Sequence, residues 1–226
     1  MRRQKVTYEN EYRDLPINTN KEKGLGCLSS SLQSYREKLE YMKDNHSKVQ
    51  QVRFDLRYPC DNSVPYDKKH ISRFCEYMKR SFDRMETGGH LVDMKLEWVP
   101  DKKEKSSHPH YHCVALVNGN AIQSEYTVLK RAEHYWGIVL KNDQDGLVHY
   151  CNKDRSGKKQ ENGLMYRRGS VDAEEILEKM QYQASYIAKA RDKDGLPKGS
   201  WIRGGSRIPK KWIVFLLSFR LVQIFC

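Results

Sequence analysis

Three histidines stand at alternate positions near the middle of the chain, at His108, His110 and His112. The apolar run that follows them stops at an Asn-Gly-Asn segment over 118–120, and this pattern is typical of a β-strand. Residues two apart on a strand point to the same face, so His110 and His112 can bind one divalent ion together. Pro109 makes His108 a weaker candidate, because proline is disfavoured inside a central strand. The pattern predicts a two-histidine metal site; the alternative is a chance pair of rings that face solvent or backbone groups.

A hard divalent ion such as Mg²⁺ or Mn²⁺ needs more ligands than two imidazoles, and a carboxylate is the usual third one. The strand predicted over 90–99 offers two carboxylates on one face, Asp93 and Glu97. If this strand forms a hairpin with the histidine strand, Glu97 lies nearer to His110 and His112 than Asp93 does. Glu97 is therefore the predicted third ligand and Asp93 the second choice. The alternative for Glu97 is a solvated strand residue.

A second group of reactive residues lies far downstream, where Tyr182, Tyr186 and Lys189 are spaced as on a helix. At about 100° per residue, these three side chains fall within roughly 60° of arc. The apolar residues of the segment cluster on the other side, at Ile176, Leu177, Met180, Ala184 and Ile187. The tyrosines therefore lie off the apolar stripe, which favours either a reactive role or two exposed, amphipathic side chains.

A metal site and a tyrosine helix together predict that a tyrosine hydroxyl attacks a phosphate that the metal ion polarises. A tyrosine hydroxyl has a pKa near 10 and is a weak nucleophile at neutral pH. A bound ion polarises a phosphate, and a nearby cation stabilises the charge that develops. Lys189 follows Tyr186 by one helical turn and is expected beside the phenol oxygen. Tyr186 is the predicted nucleophile, and Tyr182 is a candidate for a second one.

The elements that must position these residues follow the order strand–helix–strand–strand–helix–strand, which is the ferredoxin-like order. The predicted fold class is α+β, with an antiparallel sheet of about four to five strands and helices on one face. Three regions are predicted: a polar lead and helix over 1–48, a catalytic domain over 49–208 and an apolar tail over 209–226. The predicted helices cover 29–45, 67–85, 124–140 and a segment capped by Ser170, and the predicted strands cover 51–58, 90–99, 110–117 and 146–151.

The chain carries a formal net charge of +12, with a pI of about 9.3. Its basic residues are spread along the sequence, which favours a polyanionic partner such as nucleic acid, although a basic protein without such a partner is the alternative. The candidate DNA-binding residues are Arg53, Arg57, Arg191, Lys193 and Arg207.

Cysteine usage and the chain ends predict the cellular setting. The six cysteines include no Cys-x-x-Cys pair, so free thiols in a reducing cytoplasm are expected. The first residues are charged and no apolar segment follows, so no secretory signal is expected. The apolar tail over 212–226 is interrupted by Arg220 and is shorter than a usual membrane span. It is expected to be a buried segment, with an interfacial segment as the alternative.

The histidine strand and the tyrosine helix together resemble the HUH endonucleases. More closely, segments 52–59, 108–119, 146–150 and 184–189 resemble the inovirus gene-two-product family, the replication proteins of filamentous phages and cryptic prophages. The resemblance covers about 49–208. It implies that His110 and His112 hold Mg²⁺ or Mn²⁺ and that Tyr186 is the nucleophile.

The resemblance also implies a biological role, the initiation of rolling-circle replication. Such an enzyme nicks single-stranded or supercoiled DNA at an origin, stays linked to the 5′ phosphate and leaves a 3′ hydroxyl for a host polymerase. A host helicase is a further expected partner, no membrane is involved, and the expected location is the cytoplasm of a bacterial host. Two alternatives remain: a DNA-binding prophage regulator without catalysis, and a relaxase or transposase of the same superfamily.

Overall fold

The main sheet of the protein is antiparallel and contains six strands. Five of them lie side by side, and the sixth pairs with one of those five. The computed structural model describes residues 5–102, 106–153, 156–190, 196 and 199–209. Its helices are α1 (Ser29–Asn45), α2 (Lys69–Asp83), α3 (Glu125–Leu140) and α4 (Ala173–Ser185). Its strands are β1 (Val6–Thr7), β2 (Glu11–Tyr12), β3 (Leu15–Pro16), β4 (Cys27–Leu28), β5 (Lys48–Leu56), β6 (Glu86–Thr87), β7 (His90–Leu91), β8 (Lys95–Asp101), β9 (His110–Asn118), β10 (Val148–His149), β11 (Leu164–Arg167) and β12 (Gly204–Gly205).

The main sheet has the order β10-β5-β9-β8-β12, and β11 also pairs with β5. β10 and β11 pair with opposite ends of β5, so together they take the place of one fourth strand. If β10 and β11 are counted as one strand, the elements follow the ferredoxin-like order that the sequence predicts, namely β5-α2-β8-β9-α3-β10/β11. The α+β class is confirmed. The sheet has six strands rather than four to five, because the fourth strand is broken in two and β12 adds an edge.

Helices cover both faces of this sheet. α2 and α3 pack on one face, against apolar residues such as Phe54 and Cys113. α1 and α4 pack on the other face, against Val114 and Leu116. The prediction of helices on one face holds for α2 and α3 and is wrong for α1 and α4. The uninterrupted apolar run of β9 is the sign of this arrangement, since a strand buried on both faces needs no polar alternation.

The hairpin of β8 and β9 sets the position of the histidines. Its register places Asp101 opposite His110 and Val99 opposite His112. β8 continues through Pro100 to Asp101, although the sequence suggested that it ends at Val99. Proline is tolerated there because β12 pairs only with residues 97–98, so Pro100 needs no backbone donor on its outer side.

The N-terminal segment predicted as a polar lead packs against the end of α4. The backbone N–H of Asn18 donates to Ser185 Oγ over 2.7 Å. The backbone N–H of Ala190 donates to the carbonyl of Gly26 over 2.9 Å. These bonds hold the chain on either side of Tyr186, so the segment before α1 helps to position the predicted nucleophile.

Some predicted features lie outside the described residues, namely Arg191, Lys193 and the apolar tail from 210 onward. Within the part of the chain that the structure describes, no helix is long and apolar enough to cross a membrane.

Candidate active site

Three side chains from the β8–β9 hairpin converge on one point, and they are His110, His112 and Asp101. The two histidine Nε2 atoms are 3.2 Å apart. Asp101 Oδ2 lies 3.2 Å from His112 Nε2 and 3.7 Å from His110 Nε2. Ligand atoms about 2.1 Å from an ion and about 90–110° apart are separated by about 3.0–3.4 Å. The triangle is therefore close to the size that one divalent ion requires, and its two-histidine, one-carboxylate composition suits such an ion.

The structure supplies Asp101, and not Glu97, as the carboxylate next to the histidines. Glu97 is 1% exposed, and its Oε2 accepts hydrogen bonds from Lys38 Nζ over 2.6 Å and from Ser34 Oγ over 2.9 Å. Glu97 therefore ties the sheet to α1. The sequence argument missed Asp101 because it ended the strand before Pro100 and assigned the following residues to a loop.

Two other candidates also have different partners. Asp93 forms ion pairs with His46, at 2.9 Å, and with Lys95. The ring of His108 stacks on Tyr58 with centroids 5.0 Å apart. Neither residue joins His110 and His112, in agreement with their lower ranking in the sequence argument.

Asp55 fixes the orientation of His112. Its Oδ1 lies 2.6 Å from His112 Nδ1, and Nδ1 must carry the hydrogen because an ionised carboxylate can only accept. The Nε2 atom then faces Asp101 and His110, as in histidines that bind metals with a carboxylate behind them. β5 places Asp55 directly opposite His112 in the register of the sheet.

Burial and hydrogen bonds shift the pKa values of the two histidines in opposite directions. Burial lowers the pKa of His110 to about 4, and the neighbouring His112 contributes to the decrease, so His110 is neutral at pH 7. Burial also lowers the pKa of His112, but hydrogen bonds to Asp101 and Asp55 outweigh this effect and raise the pKa. For Asp55, hydrogen bonds from His112 and His149 outweigh burial and hold the pKa well below its usual range.

Tyr186 lies beside this group, at the point where α4 gives way to a short 3₁₀ turn over Tyr186–Ala188. Its ring meets the ring of His112 edge to face, with centroids 5.3 Å apart. The Lys189 ammonium lies 3.5 Å from the centre of the tyrosine ring, and the Arg53 guanidinium carbon lies 4.8 Å from it. Two cations therefore flank the ring. Lys189 was expected beside the phenol oxygen and instead lies over the ring face, because the helix ends before it.

Tyr182 lies one turn earlier on α4, and its side chain is 49% exposed. It lines the same cleft as Tyr186. The sequence prediction that both tyrosines lie off the apolar stripe is confirmed, since Leu177, Met180 and Ala184 on the other side of the helix are buried.

The metal group and both tyrosines open into a single cleft of about 1290 Å³. Its cationic lining consists of Arg53, Arg57, Lys153, Lys179 and Lys189. A basic groove with exposed aromatic side chains suits a single-stranded nucleic acid. Of the predicted DNA-binding residues, Arg53 and Arg57 line the cleft, whereas Arg207 is exposed and is not among its lining residues.

A second group of ligand-type side chains adjoins the first and consists of Asp55, His149 and Cys151. Cys151 is one of the free cysteines, which in the described residues also include Cys27, Cys60, Cys75 and Cys113. Burial raises the pKa of the Cys151 thiol to about 12, with Asp55 contributing. The sequence analysis missed this group because it assigned residues 146–151 to one regular strand. In the structure only Val148–His149 of this segment forms a strand, β10, and Cys151 lies beyond its end.

Comparison with known proteins identifies one family. The model of the family described as the YagK/YfjJ C-terminal domain matches residues 8–198. The match includes most of the predicted N-terminal lead and helix, from residue 8 onward, together with both ligand groups and α4. Neither curated proteins nor solved structures gave a match. The narrower relationship to the HUH endonucleases and the inovirus replication proteins stays a prediction.

Proposed function

The chain belongs to the YagK/YfjJ C-terminal domain family, which is found in prophage-encoded proteins, and we propose that it is a metal-dependent DNA nicking and strand-transfer enzyme. The observation that carries the proposal is the contact between Tyr186 and His112, whose ring centroids are 5.3 Å apart. A tyrosine this close to a ligand triangle can reach a phosphate that the triangle helps to hold.

The residues present fit a divalent ion such as Mg²⁺ or Mn²⁺. His110, His112 and Asp101 would hold it, since their ligand atoms lie 3.2–3.7 Å apart. A bound ion would supply Lewis-acid polarisation of a phosphate oxygen. Asp55 would keep Nε2 of His112 turned toward such an ion, because it accepts a hydrogen bond of 2.6 Å from Nδ1 on the other side of the ring.

In the proposed reaction, the phenol oxygen of Tyr186 forms a bond to the phosphorus of one DNA phosphodiester. The bond from phosphorus to the 3′ oxygen breaks, the phenol proton is lost to solvent and the released 3′ oxygen gains a proton. The products are a 5′-phosphotyrosine and a free 3′ hydroxyl. Because the phosphodiester energy stays in the covalent link, attack by a 3′ hydroxyl can rejoin the strand without ATP.

The basic residues of the cleft support binding of the DNA strand. Lys189 and Arg53 flank the tyrosine ring and can neutralise charge on the attacked phosphate. Arg57 lines the same cleft. Tyr182, on the same side of α4, is proposed as the acceptor in a second transfer that closes a circle.

The proposed biological role is the initiation of rolling-circle replication of a phage or prophage in the cytoplasm of a bacterial host. Its DNA partner would be a single-stranded or supercoiled origin, with the host helicase and polymerase acting afterwards. A relaxase or transposase would use the same chemistry. A prophage regulator that binds DNA without cutting it is the alternative from another class.

A cleavage assay distinguishes the enzyme from the regulator. The protein is incubated with Mn²⁺ and a set of single-stranded oligonucleotides tiled across the surrounding prophage DNA, each labelled at its 3′ end. The proposal predicts a labelled protein–DNA adduct on a denaturing gel, absent with EDTA and absent for Tyr186→Phe. Binding in a gel shift without any adduct would identify a regulator instead.

A further inference from the structure

The carboxylate of Asp55 lies between two groups of ligand atoms. One oxygen, Oδ1, accepts the hydrogen bond from His112 Nδ1 at 2.6 Å. The other oxygen, Oδ2, lies 3.6 Å from Nδ1 of His149. Cys151 Sγ lies 3.5 Å from that same nitrogen. Oδ2, Nδ1 and Sγ therefore form a second triangle, separate from the one that involves His110 and Asp101.

Two of the three separations in this triangle match those expected around a tetrahedral zinc ion, and the third is at most 4.8 Å. Zinc binds nitrogen and oxygen at about 2.0–2.2 Å and sulfur at about 2.3 Å, so pairs of its ligands are about 3.4–3.6 Å apart. The two separations of 3.6 and 3.5 Å agree with these values. All three residues line the open cleft, so a fourth position would be accessible to water or to a phosphate.

The chemistry of the donors selects the kind of ion. A thiolate with an imidazole suits zinc and other soft or borderline metals, whereas Mg²⁺ and Mn²⁺ prefer oxygen donors. We propose that Asp55, His149 and Cys151 form a second metal site that binds Zn²⁺ and is distinct from the His110–His112–Asp101 site. On binding, a Zn–S bond replaces the S–H bond of Cys151, and the proton passes to the solvent.

The shared Asp55 couples the two sites, and this part of the inference rests on the proposed function. An ion on Oδ2 withdraws charge from the carboxylate that orients His112, and two divalent ions on either side of Asp55 repel each other. Zinc at the second site therefore weakens Mn²⁺ binding at the first. Because coupling between sites is reciprocal, Mn²⁺ weakens zinc binding by the same factor.

Cobalt titration of the full chain tests the second site directly, since Co²⁺ substitutes for zinc and gives a thiolate-to-metal absorption band. The expected result is one equivalent of Co²⁺ with this band, displaced by Zn²⁺. Cys151→Ser should remove the band, and His149→Ala should weaken Co²⁺ binding by at least about tenfold. Cys60→Ser, at an exposed cysteine outside the group, should leave the band unchanged.

Several outcomes would overturn the proposal. The first is the absence of the thiolate-to-Co²⁺ band in the wild-type protein. This outcome needs no variant, so it does not depend on whether a variant folds. The second is a Cys151→Ser protein that keeps the band. A third is loss of the band in a His110→Ala/His112→Ala protein with native circular dichroism, since the thiolate site should survive those changes.

Mn²⁺ titration followed by electron paramagnetic resonance then tests the coupling. One equivalent of Zn²⁺ should raise the Mn²⁺ dissociation constant of the wild-type protein, but by less than in Cys151→Ser, where zinc has only the first site to occupy and displaces Mn²⁺ from it. Equal Mn²⁺ affinity with and without Zn²⁺ in the wild type would contradict the coupling. A protein that shows the cobalt band but binds no Mn²⁺ would overturn the proposed function and leave the zinc site standing.

Discussion

The ring of Tyr186 stands edge to face against the ring of His112, with the two ring centroids 5.3 Å apart. These residues are far apart in the sequence and come from two adjacent layers, Tyr186 from the turn that follows α4 and His112 from the central strand β9. The contact unites the two features that the sequence analysis singled out separately. It also places the proposed nucleophile beside a ligand that Asp55 holds in orientation.

Asp101, rather than Glu97, is predicted to bind the ion. Asp101→Asn should reduce Mn²⁺ affinity by at least about tenfold, because it removes an anionic ligand from the triangle. Glu97→Gln should leave Mn²⁺ affinity unchanged but lower the free energy of unfolding by about 3 kcal/mol, since it leaves the buried Lys38 without its ion-pair partner. Calorimetric Mn²⁺ titration and urea unfolding of both variants provide the measurements. A larger loss of Mn²⁺ affinity in Glu97→Gln would restore Glu97 as the ligand.

Asp55→Asn tests the orienting role. The amide can still accept a hydrogen bond from His112 but carries no charge, so Mn²⁺ affinity should fall by about 10–100-fold. Asp61→Asn is a matched control, because Asp61 is an exposed carboxylate that caps a turn by accepting a hydrogen bond from Ser63. Equal Mn²⁺ affinity in the Asp55→Asn protein and the control would remove Asp55 from the site.

Metal affinity should depend on pH through His112. Its pKa is raised above the ordinary value of 6.5, because hydrogen bonds to Asp101 and Asp55 outweigh burial. In metal-free protein this contributes stability that is fully present below pH 6.5 and is lost as the pH rises through the folded-state pKa. Mn²⁺ must displace the same proton, so its affinity should rise with pH by up to about tenfold per pH unit until the pH passes the folded-state pKa of His112, and then level off. Calorimetry in buffers with different ionisation enthalpies counts the released proton, and release of none would contradict the assignment.

Arg53 is predicted to contact a DNA phosphate in the cleft. Arg53→Ala should weaken binding of single-stranded DNA and reduce the slope of log affinity against log salt by about one unit. Arg80→Ala serves as a control, because Arg80 is exposed on α2 and pairs with Glu76, and α2 packs on the opposite face of the sheet from α4. Fluorescence anisotropy across a salt series gives both slopes, and identical slopes for the two variants would remove Arg53 from the DNA path.

Tyr182→Phe separates the two tyrosines. This variant should still nick once and form the adduct through Tyr186, but it should fail to close a circle if the residues act in alternation. Conversion of a circular substrate with two origins into smaller circles provides the measurement. Full circle formation by Tyr182→Phe would exclude Tyr182 from the reaction.

Periodic features could be predicted from the sequence because they depend on local spacing. The boundaries of α1 were predicted to the residue, and α2, α3 and β9 within two residues. The alternation of side chains along β9 correctly predicted that His110 and His112 lie on one face of the sheet. The ferredoxin-like order followed from the order of the elements.

The features that the sequence analysis missed depend on contacts between distant segments. Asp101 required the hairpin register, which Pro100 obscured. Asp55 looked like one charged residue in an alternating strand, and only its pairing opposite His112 gives it a role. The N-terminal lead is held by backbone bonds such as the one from Ala190 to Gly26, and its polar composition gives no signal for them. Helices on the second face arise because β9 is apolar on both sides.

The most direct test of the central claim is to identify the tyrosine that is joined to DNA. The adduct formed with Mn²⁺ is digested with a protease and a nuclease, and the nucleotide-bearing peptide is sequenced by mass spectrometry. The account predicts a nucleotide on Tyr186, and loss of the adduct in Tyr186→Phe while folding and DNA affinity are retained. A modified peptide that carries the nucleotide on any other residue in the first nicking step would contradict it.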